Sequence, residues 1–201
     1  MMSRNQKWAV VVAAMAGTCG AMPALGVVSS GTNGFNGVWV NQLVGATRFY
    51  NAGYTGTRAT MANIEGGHMW NQHSVLTHVN TLITGTGASG QLRDHATWVG
   101  HAMGGRAAPN TNTNNRRGIG YNATLWSGAV AISYGAGGSF STTFNSTMSV
   151  FRQVFSLGVN GQFADVSNSS WGGNTGSAGN SAREVAIDAL LNATGTVAEF
   201  S

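Results

Sequence analysis

The sequence predicts an α/β fold, with a mostly parallel sheet and helices on both faces. Short apolar runs alternate with longer amphipathic segments from residue 37 onward, an order typical of strands joined by helices. Only 8% of the 201 residues are charged, and 30 are glycine. Disordered chains and long-helix proteins need far more charge, so the composition excludes both classes. The length suits one globular domain with a sizeable core.

Residues 1–26 have the pattern of a secretory signal peptide. A basic start precedes an apolar run from Trp8 to Ala16, and small residues stand at Ala24 and Gly26, where a signal peptidase would cleave. The apolar run is too short to cross a bilayer. We therefore expect an exported protein, either secreted or periplasmic, without a membrane span.

One domain is expected to cover residues 37–201, after a Ser/Gly/Asn-rich connector at 27–36. Cys19 is the single cysteine and lies in the leader, so packing alone or bound ions, rather than disulfides, must stabilise the domain. Apart from Arg116 and Arg117, the basic residues are scattered, and the net charge is only +4. We expect no nucleic-acid partner, while the oligomeric state is left open.

The first elements of the domain lead to a carboxylate. The apolar periodicity predicts an amphipathic helix over 37–50, ended by a turn at Gly53–Gly56. A short, mostly apolar strand over Ala59–Ile64 then runs directly into Glu65. Open α/β sheets assemble their sites at the carboxyl ends of strands, so Glu65 is a candidate site residue.

A second candidate lies in Asp94–Gly105, whose sequence is DHATWVGHAMGG. Asp94 can cap a helix, and five residues recur at the spacing of one helical face, namely His95, Trp98, Val99, Ala102 and Met103. This pattern predicts His95 in the first turn, on the packed side. A stripe of small residues allows close packing against a neighbour: Ala96, Gly100 and Gly104. The pattern alone also fits a core histidine on a buried helix.

The remaining chain continues the alternation. A turn and strand are expected in Gly118–Trp126, a helix in Thr142–Gly158, and a strand with a following loop in Ala164–Gly173. A further helix follows over Ser181–Thr194, and a last strand over Thr196–Ser201. Each strand in this order is separated from the next by a helix or a long connection, which favours parallel pairing.

Other polar motifs are interpreted as structural. Because His68, His73 and His78 recur every five residues, they do not share a helical face, and no His-Glu-x-x-His pair occurs. We predict no metal site and no cofactor. The segment Gly85–Gly90 lacks the lysine of a phosphate loop and is interpreted as a turn. Pro109–Arg117, rich in Asn and Thr, is expected to be a surface excursion.

Several motifs together resemble subtilisin-like serine peptidases. Residues 53–67 are similar to that family's Gly-Tyr-Thr-Gly turn and the strand that leads to Asp-Ser-Gly or Asp-Thr-Gly. DHATWVGHAMGG is similar to His-Gly-Thr-His-Val-Ala-Gly-Thr, and residues 164–173 resemble Asp-Val-Ile-Asn-Met-Ser-Leu-Gly-Gly. The resemblance spans roughly residues 37–201, and its specificity comes from the order and spacing of the motifs.

The resemblance implies a site and a reaction. His95 corresponds to the catalytic histidine and Glu65 to the aspartate that orients it, while Ser170, Trp171 and Gly172 correspond to the loop that pairs with substrate backbone. It implies hydrolysis of polypeptides through an acyl-enzyme. No metal is predicted in this site.

Departures from the family pattern leave two functions open. Glu65 replaces an aspartate, Trp98 the second histidine of the motif, and His101 a glycine. No Gly-Thr-Ser-Met-Ala or Gly-x-Ser-x-Gly motif occurs, and the sequence stops at Ser201, before the oxyanion asparagine is expected. The chain is thus expected to be the amino-terminal part of an exported endopeptidase, inactive alone and poorly soluble at its open sheet edge. The alternative is a non-catalytic secreted binding or surface protein on the same scaffold.

Overall fold

The computed structural model describes residues 40–106, 117–172 and 181–200. The expected leader and connector lie outside the described residues, as does most of the expected surface excursion at Pro109–Arg117. Within the described ranges, no helix combines the length and the apolar character needed to cross a bilayer.

The described chain forms seven strands and five α-helices. The strands are β1 (Thr60–Glu65), β2 (Thr81–Thr84), β3 (Thr124–Ala129), β4 (Ser133–Tyr134), β5 (Phe140–Ser141), β6 (Val166–Ser169) and β7 (Val197–Phe200). The helices are α1 (Val40–Leu43), α2 (Ala46–Asn51), α3 (Asp94–Gly104), α4 (Phe144–Arg152) and α5 (Ala182–Thr194). Helix α4 continues as a π-helical turn over Gln153–Leu157.

Five strands form one sheet in the order β2-β3-β1-β6-β7. All of its neighbouring strands are parallel, and the short strands β4 and β5 pair separately and antiparallel. Strand β1 is central, with β3 on one side and β6 on the other. The predicted α/β class with a mostly parallel sheet is therefore confirmed.

Helices cover both faces of the sheet because successive strand residues point to opposite sides. The larger core lies on the face covered by α4 and α5, where Ala62, Ile64 and Trp126 join residues such as Phe151 and Ile187. The opposite face carries a smaller core that includes Leu125 and Ala96 from α3, with the following partners: Met61, Met69, Val75, Leu76, Val79 and Met103.

The helices of the larger core begin with capping boxes. The Thr143 side chain accepts a hydrogen bond from the backbone nitrogen of Ser146, and the Ser146 side chain accepts one from the backbone nitrogen of Thr143. Ser181 and Glu184 form the same reciprocal pair before α5. These bonds satisfy backbone groups that a helix start leaves open, so α4 and α5 begin at defined residues.

The prediction of one continuous helix over 37–50 is wrong. The described part consists of α1 and α2, separated at Val44 and Gly45, and Gly45 has a φ angle of 80°. Glycine adopts this left-handed conformation without steric cost. Leu43 and Val44 are mostly exposed. A continuous helix here would therefore gain little stability from burying apolar side chains.

The small-residue stripe of α3 packs as the sequence predicts. A Cβ atom at Gly100 would collide with the sulfur of Met69, and one at Gly104 would lie 3.1 Å from a methyl carbon of Leu125. Helix α3 therefore lies close to the sheet, and its first turn comes near the carboxyl end of β1.

Candidate active site

Glu65 is the last residue of the central strand β1. The alternation along β1 places Asn63 and Glu65 on the face of α3, whereas Ile64 points into the larger core. The Glu65 side chain is only 1% exposed. The strand thus presents a buried carboxylate to the helix that carries His95.

The first turn of α3 is fixed by a side chain from β1. The amide nitrogen of Asn63, which is fully buried, donates a 2.9 Å hydrogen bond to the carbonyl of Ala96. A buried hydrogen bond of this kind holds the helix start in one position relative to the strand. It therefore fixes the position of the His95 backbone relative to β1.

The predicted packed side of α3 is wrong for three of its five residues, because His95, Trp98 and Ala102 are exposed. The His95 side chain is 53% exposed and Trp98 is 69% exposed. The buried face consists of Ala96, Val99 and Gly100 together with Gly104. Close contact with Met69 and the sheet leaves room only for small residues, so the larger rings lie on the outer side.

His95, Glu65 and Ser170 come together at the carboxyl edge of the sheet. The Nε2 atom of His95 lies 3.5 Å from Oε2 of Glu65 and 3.0 Å from the carbonyl oxygen of Ser170. The backbone nitrogen of Ser170 donates a 2.8 Å hydrogen bond to Oε1 of Glu65. Asn63 pairs with Asn168 in the parallel register of β1 and β6, which brings Ser170 beside Glu65 two residues later.

The environment of Glu65 opposes its ionisation. Burial raises the pKa of the Glu65 carboxyl, while the hydrogen bond from Ser170 and the nearby His95 act in the opposite direction. Its Oε2 atom is buried and accepts no hydrogen bond from the described residues. The free oxygen faces the imidazole at 3.5 Å, so a small shift of His95 would complete a charge-assisted hydrogen bond.

Trp171 lies on the opposite side of the sheet from His95. Its indole nitrogen donates a 2.8 Å hydrogen bond to the carbonyl of Ile64, and its ring meets Phe140 edge-on with centroids 5.6 Å apart. Gly172 follows and is exposed. Of the predicted substrate-binding residues, Ser170 touches the two candidate catalytic groups, whereas Trp171 packs against the larger core.

The orientation of the imidazole matters for its chemistry. In a serine-type triad the carboxylate accepts a hydrogen bond from Nδ1, and Nε2 receives the proton of the nucleophile. In this protein Nε2 itself faces both the Ser170 carbonyl and Glu65. In this orientation Nε2 is engaged within the protein and is not directed at an external hydroxyl group.

Two further histidine environments were not found by sequence reasoning. His68 is buried between the hydroxyl groups of Ser127 and Thr84. His73 and His101 meet in an open cleft beside α3. Because the partners are far apart in the sequence, no local spacing signals either arrangement. Among the described residues, no group of three or more His, Cys, Asp or Glu side chains could hold a metal ion.

Comparison with solved structures supports the fold. The CspB protease of Clostridium perfringens has a TM-score of 0.58 at 15% identity over 80% of this chain and 39% of its own. The prenylagaramide maturation protease PagA has a TM-score of 0.55 at 16% identity, over 78% of this chain and 50% of its own. MycP1 from Mycobacterium smegmatis has a TM-score of 0.55 at 18% identity, over 81% and 44% respectively.

These similarities concern the fold alone, because the identities are low. No protein-family profile matches the chain, and no curated protein matches it in sequence. The chain spans half or less of the length of the three structures compared above. Within those limits, this α/β domain shares its fold with proteases, as the motif resemblance implies.

Proposed function

We propose that Glu65 and His95 form the general-base half of a serine-type endopeptidase site on an exported protein. His95 would take the proton of a serine hydroxyl as that oxygen attacks the scissile carbonyl. An acyl-enzyme would form as the amine leaves, and water would then release the acid product. Glu65 would orient the imidazole and stabilise its charged form.

The observation that carries this proposal is the contact between a buried carboxylate and a solvent-accessible imidazole at the carboxyl edge of the sheet. The two groups approach to 3.5 Å, with side-chain exposures of 1% for Glu65 and 53% for His95. Burial raises the pKa of the Glu65 carboxyl, and a carboxyl group with a perturbed pKa is a recognised sign of a functional site. The similarity of the fold to proteases agrees with this assignment.

Ser170 connects this pair to substrate binding in the proposal. An extended polypeptide would pair with the backbone of residues 170–172, which follow the carboxyl end of β6. For catalysis His95 must turn so that Nδ1 faces Glu65 and Nε2 leaves the Ser170 carbonyl. The imidazole is half exposed, so it has room for this rotation.

The serine nucleophile is not assigned to any residue of the sequence, because no motif of the required kind occurs. In the proposal, polypeptide outside these 201 residues supplies it. The 201 residues alone are therefore expected not to hydrolyse peptides by this route. Glu65 stands where subtilisin-like peptidases have aspartate. In the proposal this difference affects only how the His95 imidazole is oriented.

The test measures peptide hydrolysis by the natural gene product that contains these residues. In subtilisin, losing the histidine lowers kcat about 2 × 10⁶-fold and losing the aspartate about 3 × 10⁴-fold. We expect His95→Ala to abolish measurable turnover, and Glu65→Gln to lower kcat by roughly 10³-fold to 10⁴-fold with little change in KM. Asp188→Asn, on the exposed surface of α5, is the matched control and should retain full activity. Turnover that survives in His95→Ala would refute the assignment.

A non-catalytic exported binding protein is the second candidate. One specific observation favours it: the hydrogen bond between His95 and the Ser170 carbonyl occupies the nitrogen that a general base needs. In that case extended peptides would bind at residues 170–172 without being cleaved. Saturable peptide binding, followed by Trp171 fluorescence, with intact peptide recovered afterwards from the same gene product, would favour this candidate over the peptidase.

A further inference from the structure

An open cleft of about 490 Å³ lies on the outer side of α3, beside the Glu65–His95 pair but not shared with it. Two exposed tryptophans, Trp70 and Trp98, form part of its wall. The complete lining is Trp70, His73, Leu92, Arg93, Asp94, Thr97, Trp98 and His101. The cleft therefore combines aromatic rings with two imidazoles.

The two imidazoles in this cleft face each other across separate segments. The ring centroids of His73 and His101 are 6.0 Å apart, with an angle of 38° between the ring planes. Both side chains are only partly buried, so solutes can reach them. Because Zn–N bonds are about 2.0–2.1 Å long, two imidazoles that share one ion have centroids roughly 5–6.5 Å apart. The observed spacing falls within this range.

The hydroxyl group of Thr97 holds two segments of the cleft together. The hydroxyl group of Thr97 accepts a 2.9 Å bond from the backbone nitrogen of Trp70 and donates a 2.9 Å bond to the carbonyl of Arg93. The segment that carries His73 is thus tied to α3, which carries His101. Such pre-organisation lowers the entropic cost of binding a ligand between them.

We propose that His73 and His101 bind one divalent transition-metal ion of the class that prefers imidazole, such as Zn²⁺ or Cu²⁺, with water in the remaining positions. Imidazole nitrogen suits these ions, whereas Mg²⁺ and Ca²⁺ require oxygen ligands. The ion would crosslink the turn after Trp70 to the last turn of α3.

The charges and hydrogen bonds around the site permit a cation. Arg93 and Asp94 both line the cleft and offset one another in formal charge, and the Arg93 guanidinium packs over the Tyr134 ring at 4.0 Å. The Nδ1 atom of His73 lies 3.5 Å from the backbone nitrogen of Val75, which is long for a hydrogen bond. An ion on Nε2 of His73 requires a proton on Nδ1 of that ring, which displaces this weak contact.

The experiment titrates the full chain with Cu²⁺ and records tryptophan fluorescence and electron paramagnetic resonance. Trp70 is a built-in reporter because its ring centroid is 5.9 Å from that of His73. We expect saturable quenching with one equivalent of Cu²⁺ and a resonance spectrum with two nitrogen donors. His73→Ala and His101→Ala should each weaken binding by at least tenfold. In a second measurement, Zn²⁺ should raise the Tm of the unaltered chain but not that of His73→Ala.

His95→Gln is the matched control, because it removes an exposed imidazole from the same helix but outside the cleft lining. It should leave Cu²⁺ affinity unchanged. His73→Gln and His101→Gln serve if an alanine variant does not fold, as judged by circular dichroism. Unchanged Cu²⁺ affinity in folded His73 and His101 variants, or loss of binding in His95→Gln, would overturn the proposal. None of these readouts depends on peptidase activity.

Discussion

Two histidines near the carboxyl edge of the sheet, His68 and His95, lie in opposite environments. His68 is 3% exposed, and its ring nitrogens lie 3.2 Å from the Ser127 hydroxyl and 2.8 Å from the Thr84 hydroxyl. His95 is half exposed and faces the carboxylate of Glu65. The comparison shows that one scaffold uses the same side chain to join core elements at one position and to present a titratable group at the other.

The sharpest way to separate the two roles is to delete the His68 side chain. His68→Ala leaves a cavity and removes a partner from two hydroxyl groups, so we expect the free energy of unfolding to fall by about 2–4 kcal/mol. Urea denaturation followed by circular dichroism measures this change. Ser74→Ala, at an exposed position in a nearby turn, should change stability by less than about 0.5 kcal/mol. A comparable loss in both variants would show that His68 has no special structural role.

Acidification should also lower the free energy of unfolding through the buried histidines, but by less than His68→Ala does. Burial lowers the pKa of His68, and burial together with the Arg106 charge lowers the pKa of His78 to about 4. The unfolded chain, with histidine pKa values of about 6.5, therefore binds more protons than the folded chain. This contribution is fully present above about pH 6.5 and is lost as the pH falls towards the folded-state values. Because Glu65 contributes with the opposite sign, the Glu65→Gln variant is measured, and stability of that variant that is flat between about pH 7 and about pH 5 would contradict this prediction.

The contribution of Glu65 to the free energy of unfolding should depend on pH in the opposite direction. Burial raises the pKa of its carboxyl, so the ionised form destabilises the fold as the pH rises through the unfolded-state and then the folded-state value. Glutamine removes the charge and keeps an acceptor for the Ser170 N–H group. We expect Glu65→Gln to raise the free energy of unfolding at neutral pH by about 1 kcal/mol. A loss of stability in denaturant titrations would mean that attraction between Glu65 and His95 outweighs the burial cost.

The smallest effect on stability is expected at His95. Because its side chain is half exposed, His95→Ala should change the free energy of unfolding by less than about 0.5 kcal/mol. The measurement is the same denaturant titration used for His68→Ala. A large stability loss at His95 would remove the contrast between the two histidines and indicate a structural role for both.

The sequence was sufficient for the fold class and for most of the helices and strands around the central strand β1, although it did not predict β2, β4 or β5. The expected strand Ala59–Ile64 is shifted by one residue from the observed Thr60–Glu65. Helix α3 is present where the sequence predicts it, but the prediction that Asp94 caps it is wrong, because Arg93 occupies the N-cap position without a side-chain cap and Asp94 is the first helical residue. Parallel strands and buried helices leave strong local patterns, because their apolar periodicity is imposed by burial on one or both faces.

Orientation and contacts between distant segments could not be predicted in the same way. On α3 the apolar count favoured the side of Trp98, but close approach to the sheet selects residues by size, and Gly100 rather than Trp98 fits beside Met69. The pairing of His73 with His101 depends on where a turn crosses the helix. No periodicity within either segment contains that information.

One residue connects the proposed binding edge with the proposed acid–base pair through its two adjacent peptide units. Ser170 donates its N–H group to Glu65 and offers its carbonyl to His95, so displacement of this backbone changes the surroundings of both ionisable groups at once. Binding of an extended ligand along residues 170–172 would therefore change the protonation equilibria of Glu65 and His95 before any peptide bond is broken. The exchange rate of the Ser170 amide hydrogen reports how firmly this N–H group is bonded to Glu65, with and without the ligand.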